Sequence, residues 1–378
     1  MRIAMIVNSY PPRMGGLELH LLNLAEGLVA LGHHVWVLTI SSEPGYRIEG
    51  GVEILTGRSH LSVADVISFP SLGARRSISR FLCENAIDLV SVHTRFFPMS
   101  FIGVRAARAC SIPVIHTEHG SGFVASSSSL ISWCSRLVDV TAGRYVLRHA
   151  DRVFGVSTEA AAFASWLGGV KTGVFHNAIT PPATRGQVCD RPEHLVFVGR
   201  IVEGKGWDDF LYAVAALRER GREITGEILG AGPMLDKARA LCDELGLGGV
   251  VELRGRVPGE EVRRCLEGAT LINPTVLSEG FQTTLLEALA ERGRVVTYSV
   301  PGAQLLRESG APVAICPEKT QESLIETIEE ILVAPGQPAP EKFITEWTWP
   351  TRSRQYSQIA EEVVAEYRES TPPEKGEG

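Results

Sequence analysis

The stretch LSEGFQTTLLEALAERG, Leu277 to Gly293, holds one glutamate, Glu279, in a polar turn and a second, Glu287, eight residues later in a segment apolar at Phe281, Leu285, Leu286 and Leu289. That spacing predicts a helix with one buried face whose first turn starts just after Glu279. A helix N-terminus favours anions, so the backbone N–H groups of Gln282, Thr283 and Thr284 could meet a phosphate. Glu287, two turns along, could reach a neutral polyol beside it. The alternative is a capping carboxylate followed by a solvated helix glutamate.

A second cluster supplies cations. The apolar run HLVFVGR ends in GRIVEGKGW, which presents Arg200 and Lys205 beyond a strand. An arginine that can bind in bidentate fashion and a mobile lysine beside a helix N-terminus suit a diphosphate; two solvated loop cations are the alternative. The first strand ends in NSYPPRMGGLE, where Gly15 and Gly16 open a helix and permit close backbone approach to an anion, although any tight loop uses the same residues. In PVIHTEHGSGF, His116 and His119 stand at a strand's carboxyl end, where a neutral imidazole can hydrogen-bond a hydroxyl. For each of them, as for His93 at the end of DLVSVH, a satisfied half-buried histidine is the competing reading. GAGPM, Gly230 to Met234, has Leu235 in place of the third glycine of a dinucleotide fingerprint and lies in mid-chain.

These residues need strands and helices to carry them. RIAMIVN, HVWVLTI, DLVSVH, PVIHT and DRVFGVS read as buried strands, with an amphipathic helix from Leu17 ended by Gly32. The segment from Asn177 to His194 is Pro-rich and aperiodic and reads as a linker. The same alternation restarts after it. The implied class is α/β, two facing doubly wound parallel-sheet domains, with ligands expected beyond the carboxyl ends of the strands in the cleft between them. WTWPTRSRQYSQIAEEVVAEYRES reads as a terminal helix and TPPEKGEG as a frayed tail.

Composition narrows the function classes. The 378 residues are 44% hydrophobic and 21% charged, which suits two globular domains with sizeable cores. The net charge of −7 is uneven: residues 1–180 carry 15 Lys+Arg, nearly all arginine, against 12 Asp+Glu. An excess that small excludes the basic field of a nucleic-acid binder. Seven scattered cysteines without C-x-x-C spacing read as reduced thiols, and neither H-E-x-x-H nor D-x-D occurs, so no metal site and no cofactor is expected. No apolar run reaches transmembrane length, and the N-terminus lacks signal-peptide features, so a cytoplasmic protein is expected. In SLGARRSISRFLCENA, Arg75, Arg76 and Arg80 lie among Leu72, Ile78, Phe81 and Leu82; this segment could rest on anionic lipid at the inner face of the membrane, or be a solvated helix face.

Taken together, Pro-Pro-x-x-Gly-Gly after the first strand, VGRIVEGKG after the linker, LGAGP, and SEGFQTTLLEALA with its E-x7-E spacing resemble the retaining glycosyltransferases of family 4, which have the GT-B fold. The resemblance spans nearly the whole chain. It implies a Rossmann-like acceptor domain over residues 1–180, a Rossmann-like nucleotide-sugar donor domain over 181–345, a crossover helix over 346–370 that packs on the N-terminal domain, and a disordered tail over 371–378. It also implies roles: Glu279 holds hydroxyls of the donor sugar, Glu287 the ribose, and Arg200 and Lys205 the diphosphate, with Gly15 and Gly16 close by. His119 contacts the sugar, with His116 the second choice; Gly280, Phe281, Gln282 and Thr283 line the donor, and the backbone at Arg256 and Val257 meets the base. Gln282 stands where many members have Gly or Pro, Asn177-Ala178 replaces Asn-Gly, and VPGAQLL keeps one glycine where a second often follows.

With both glutamates of E-x7-E assigned to binding, no convincing carboxylate pair remains to flank an anomeric carbon. The implied reaction is a metal-independent, front-face transfer from a UDP- or GDP-sugar to a glycan or lipid-linked acceptor in cell-surface polysaccharide or glycolipid synthesis. Arg200, Lys205 and the helix amides would stabilise the leaving phosphate, and His119 and Glu279 would fix the sugar. The alternatives are a nucleotide-sugar 2-epimerase on the same architecture and a non-catalytic nucleotide-sugar-binding protein.

Overall fold

The N-terminal element order is β1 (Arg2–Ile6), α1 (Gly16–Ala30), β2 (His34–Ser41), β3 (Gly45–Glu49), β4 (Val52–Val63), β5 (Ile67–Pro70), α2 (Ala74–Glu84), β6 (Leu89–His93), α3 (Pro98–Ala109), β7 (Val114–Glu118), α4 (Ser129–Val138), α5 (Arg144–His149), β8 (Arg152–Gly155), α6 (Thr158–Gly168) and β9 (Gly173–Val174). The structure is a computed structural model and describes residues 1–13, 15–63, 67–123, 129–182, 189–277, 280–334 and 336–370. Strands run in the order β3-β4-β2-β1-β6-β7-β8-β9, with β5 paired to β4. The strands from β4 to β9 along this order are parallel to their neighbours. Ile3 to Ile6 of β1 and Leu89 to His93 of β6 are wholly buried because helices cover both faces of a parallel sheet.

Alternation of apolar runs with helices does not anticipate β3 and β5, which pair antiparallel with β4. The β3–β4 hairpin turns at Gly50 and Gly51, whose φ values of 55° and 79° are those of the tight turn that right-twisted strands favour. β3 is largely exposed, so it lacks the apolar signature of a core strand.

After residue 177 the order is β10 (His194–Val198), α7 (Trp207–Glu219), β11 (Thr225–Leu229), α8 (Leu235–Glu244), β12 (Val251–Gly255), α9 (Gly259–Leu266), β13 (Thr270–Asn273), α10 (Thr283–Ala290), β14 (Arg294–Thr297), α11 (Ala303–Glu308), β15 (Val313–Ile315), α12 (Gln321–Val333), α13 (Glu341–Glu346) and α14 (Trp349–Ser370). Six parallel strands in the order β12-β11-β10-β13-β14-β15 form the second sheet. Phe197, Phe210, Leu211, Ile228, Ile272 and Val296 pack in its core. Burying each such side chain contributes about 1.5–3 kcal/mol.

Two compact units result: Met1–Asn177 with the chain from Trp349 onward, and Ala178–Thr348. The segment after Asn177 is pinned where it is described: Ala178 and Ile179 are buried, and Ile179 N donates to Trp347 O at 3.0 Å. α14 belongs to the N-terminal unit, where it lies against α1 and buries Tyr356, Ala360 and Val363. Tyr356 donates a buried hydrogen bond to Ser91 Oγ at 2.7 Å. The surface pairs Arg152–Glu366 and Arg368–Asp88 add little, because exposed ion pairs contribute about 0–1 kcal/mol.

Candidate active site

In the C-terminal unit the loops that follow β10, β11, β12 and β13 meet at one sheet edge. Ile201 N donates to Ala231 O at 3.1 Å, and Gly230 N to Gly255 O at 2.7 Å. A Cβ at Gly230 would stand 1.8 Å from Gly199 O, so GAGPM is glycine-rich because two backbones touch there. Arg200 is exposed and Lys205 half-buried on the first of these loops; Arg256 is exposed and Val257 half-buried after the third.

The loop carrying Lys205 is locked onto the loop that leads toward α10. Val276 N donates to Gly204 O at 2.9 Å, and Thr275 Oγ1 donates to the same oxygen at 3.3 Å. Gly206 has φ 89°, and a Cβ there would stand 2.5 Å from Pro274 O, so only glycine fits the contact. The second loop continues toward Glu279, which lies outside the described residues, as does Ser278; the chain is described again from Gly280.

α10 spans Thr283–Ala290 and buries Leu285, Leu286, Ala288 and Leu289; its N-cap residue, Gln282, makes no side-chain cap. Asn273 Nδ2 instead donates to Gln282 Oε1 at 2.6 Å, and Gln282 Nε2 is buried without a hydrogen-bond partner among the described residues. Phe281 stacks on Trp347 with ring centroids 5.2 Å apart, which fixes the entry to the helix. Burial raises the Glu287 carboxyl above its ordinary value; Arg263 opposes the shift and Glu291 adds to it. Arg263 is itself held by Glu291 at 2.5 Å and donates to Thr180 O at 2.7 Å.

The other predicted residues belong to the N-terminal unit. α1 begins at Gly16 after an extended Gly15, and space around a Cβ at Gly16 is open. Glu18, in the first turn, is buried and accepts from Ser9 Oγ at 2.5 Å. One turn after Gly16, His20 packs edge-on against His119, ring centroids 4.7 Å apart, and against His93 at 5.5 Å. His93 Nδ1 and His119 Nε2 are 3.2 Å apart, and His93 Nε2 is 3.0 Å from Ser91 Oγ. Burial pushes all three imidazoles below their ordinary pKa, His20 to about 4, so each is neutral at pH 7.

No sequence motif points to Glu118, yet it holds the His119 loop in place. Its Oε1 accepts from His119 N at 3.0 Å and from Gly120 N at 2.9 Å, and its Oε2 accepts from Arg95 N at 3.1 Å. Burial alone would raise this carboxyl, but the Arg95 guanidinium, the His116 ring and the loop amides hold it at about 2. His116 is fully buried, with Nε2 3.3 Å from Glu118 Oε2, so it braces this carboxylate and, unlike half-buried His119, offers no exposed surface to a ligand. Glu118 stands two residues before Gly120 in TEHG, a weak signal for this role, because its partner Arg95 lies in the loop after a different strand.

Thus Arg200, Lys205, Arg256, Val257, Gly280 to Thr283 and Glu287 share the C-terminal unit, and Gly15, Gly16 and His119 the N-terminal unit. Among the described residues no helix is long and apolar enough to cross a membrane.

Known proteins carry the same architecture. A family model described as a glycosyl transferase 4-like domain matches residues 15–178, and one described as glycosyl transferases group 1 matches residues 186–346. An uncharacterized glycosyltransferase of Methanocaldococcus jannaschii is 26% identical over 80% of this chain and 81% of its own length. A human phosphatidylinositol N-acetylglucosaminyltransferase polypeptide is 25% identical over 96% of this chain and 76% of its own length. Among solved structures, Anabaena HepE in complex with UDP superposes with a TM-score of 0.74 at 15% identity, covering 96% of this chain and 100% of that one, a likeness of fold. With both halves of the chain matched and the paired α/β units of a GT-B enzyme in place, the protein belongs to the group 1 glycosyltransferases of the family 4 type.

Proposed function

We propose that the protein transfers a sugar, with retention of anomeric configuration and without a metal ion, from a UDP- or GDP-sugar to a glycan or lipid-linked acceptor in cell-surface polysaccharide or glycolipid synthesis. The observation that carries the donor half is the bond from Val276 N to Gly204 O, which ties the Arg200–Lys205 loop to the segment leading into α10. That tie would bring two cations and a helix N-terminus to a diphosphate's charge. The base would meet the backbone at Arg256 and Val257, Glu287 would hold the ribose, and Glu279 and His119 would hold the sugar. That HepE has been solved with UDP favours the uridine arm.

The chemistry follows from that charge. As the glycosyl–phosphate bond breaks, Arg200, Lys205 and the α10 amides stabilise the departing phosphate. The acceptor hydroxyl adds to the same face of the anomeric carbon and passes its proton to a phosphate oxygen. A lipid-linked acceptor is supported by a cavity of about 450 Å³ in the N-terminal unit, walled by Leu38, Ile40, Leu55, Ile78, Phe81 and Met99. α2 forms one side of it and carries exposed Arg75, Arg76 and Arg80 next to fully exposed Leu72, a surface suited to anionic lipid.

Thermal unfolding in the presence of a panel of UDP-, GDP- and ADP-sugars tests the donor. Ligand at ~100 times its dissociation constant adds about 2.7 kcal/mol, so the true donor raises the midpoint and the others do not. A flat response to every nucleotide sugar removes the proposal. Products formed without an acceptor would point to epimerase chemistry instead.

A further inference from the structure

We propose that His20, His93 and His119 form a binding site for a late first-row divalent cation of the Zn2+ class. One ring nitrogen from each of the three lies within 4.8 Å of the other two, although they come from α1 and from the ends of β6 and β7. Imidazoles bound to one tetrahedral zinc place their nitrogens roughly 3.4 Å apart, and His93 Nδ1 and His119 Nε2 already stand at 3.2 Å.

The outer contacts orient the rings as ligands. Asn177 Oδ1, 2.8 Å from His20 Nδ1, accepts the proton there and leaves the Nε2 lone pair for a metal. That Nε2 is buried and has no hydrogen-bond partner among the described residues. Ser91 Oγ, 3.0 Å from His93 Nε2, can accept the second ring's proton and leave Nδ1 free. Without metal, His93 shares a proton with His119; with metal, that proton moves to the Ser91 side, so binding needs a tautomer change and no net proton loss. Half-buried His119 leaves a path to solvent.

Charge around the site favours a cation. Glu118, next in chain to His119, and Asp139 both contact Arg95, one guanidinium against two carboxylates, with all three side chains fully buried. Three imidazoles without thiolate or carboxylate select Zn2+, Co2+, Ni2+ or Cu2+ over Mg2+ or Ca2+. The site meets the transferase reading only at His119: with Nε2, the nitrogen facing His93, on the metal, Nδ1 remains for a sugar hydroxyl, and the donor diphosphate is assigned other cations.

The test titrates Co2+ into the full chain after removal of metal with EDTA and dialysis. The expected result is one equivalent bound, with the intense visible absorption of a low-coordinate imidazole site that Zn2+ then abolishes. His20→Gln should remove that absorption, and His194→Gln, a half-buried histidine of the other unit, should not. Should His20→Gln fail to fold, Asn177→Ala removes no ligand and should weaken the metal about 10- to 100-fold by freeing the His20 ring. Wild-type protein that shows only the weak spectrum of hydrated Co2+, absorption unchanged in His20→Gln, or Co2+ affinity unchanged in Asn177→Ala overturns the site.

Discussion

Arg95 Nη1 lies 3.0 Å from Glu118 Oε1, and neither side chain is exposed to solvent. The same guanidinium places Nε 3.0 Å from Asp139 Oδ1 and Nη2 3.0 Å from Oδ2, and donates from Nη2 to Gly122 O at 3.0 Å. Replacing Arg95 by Met leaves two buried carboxylates uncompensated and should cost the N-terminal unit about 3–5 kcal/mol, because breaking a buried pair forfeits its Coulomb energy and keeps the desolvation penalty. Urea unfolding followed by a fluorescent probe in that unit measures it. A loss below about 1 kcal/mol would mean that water reaches the pair.

Arg200→Ala and Lys205→Ala should each weaken the free nucleoside diphosphate about 10- to 150-fold, since a hydrogen bond to a charged group contributes about 1.5–3 kcal/mol. Arg200→Lys should not restore binding, because the ammonium lacks the planar fork. Calorimetric titration decides it, and affinities within twofold of wild type for both alanine variants would place the diphosphate elsewhere.

Glu287→Gln should weaken free nucleoside diphosphate and nucleotide sugar alike, whereas Glu279→Gln should spare the free nucleotide and slow turnover, since contacts at the reacting sugar act on the transition state. If Glu279→Gln weakens both ligands equally, the two glutamates do not divide sugar from ribose.

The same Glu287 predicts a trade between stability and binding. Its folded pKa is raised by burial, so ionising it opposes folding: the penalty is absent below the unfolded carboxylate pKa and appears as pH rises through the folded one. Unliganded Glu287→Gln should therefore melt above wild type at pH 7, with the gap closing as pH falls through the carboxylate range. A gap that is constant with pH would assign it to packing.

Fresh product should keep the donor's anomeric configuration, and EDTA should leave turnover intact, because the departing phosphate is assigned to Arg200, Lys205 and helix amides. Anomeric coupling constants and chelator-treated rates check both. Inversion would require a base across the sugar; loss with EDTA that Mg2+ or Mn2+ restores, in wild type and in His20→Gln alike, would require a metal at the diphosphate.

Replacing Arg75, Arg76 and Arg80 together should reduce flotation with anionic liposomes while neutral liposomes recover little of either protein. Ile78 and Leu82 are the buried residues of α2 itself, so the contact would rest on the arginines and Leu72. Equal recovery with neutral and anionic lipid removes the membrane surface.

Periodicity and punctuation were enough to read much of this protein from its sequence. Short Val and Ile runs bounded by turn residues suit strands buried on both faces, which made β1, β2, β6, β7 and β10 to β13 legible, and the apolar spacing from Phe281 to Leu289 made α10 legible. The exposed β3 and the strand after β4 escaped, because pairing at a sheet edge needs no apolar pattern. Tertiary structure alone decided which distant residues meet. Arg95 follows β6 and Glu118 ends its neighbour β7, and Asp139 follows a later helix, while His20, His93 and His119 come from one helix and two strand ends. No local spacing encodes such contacts, since β6 and β7 become parallel neighbours only through the crossover by α3 that returns the chain to the same sheet edge.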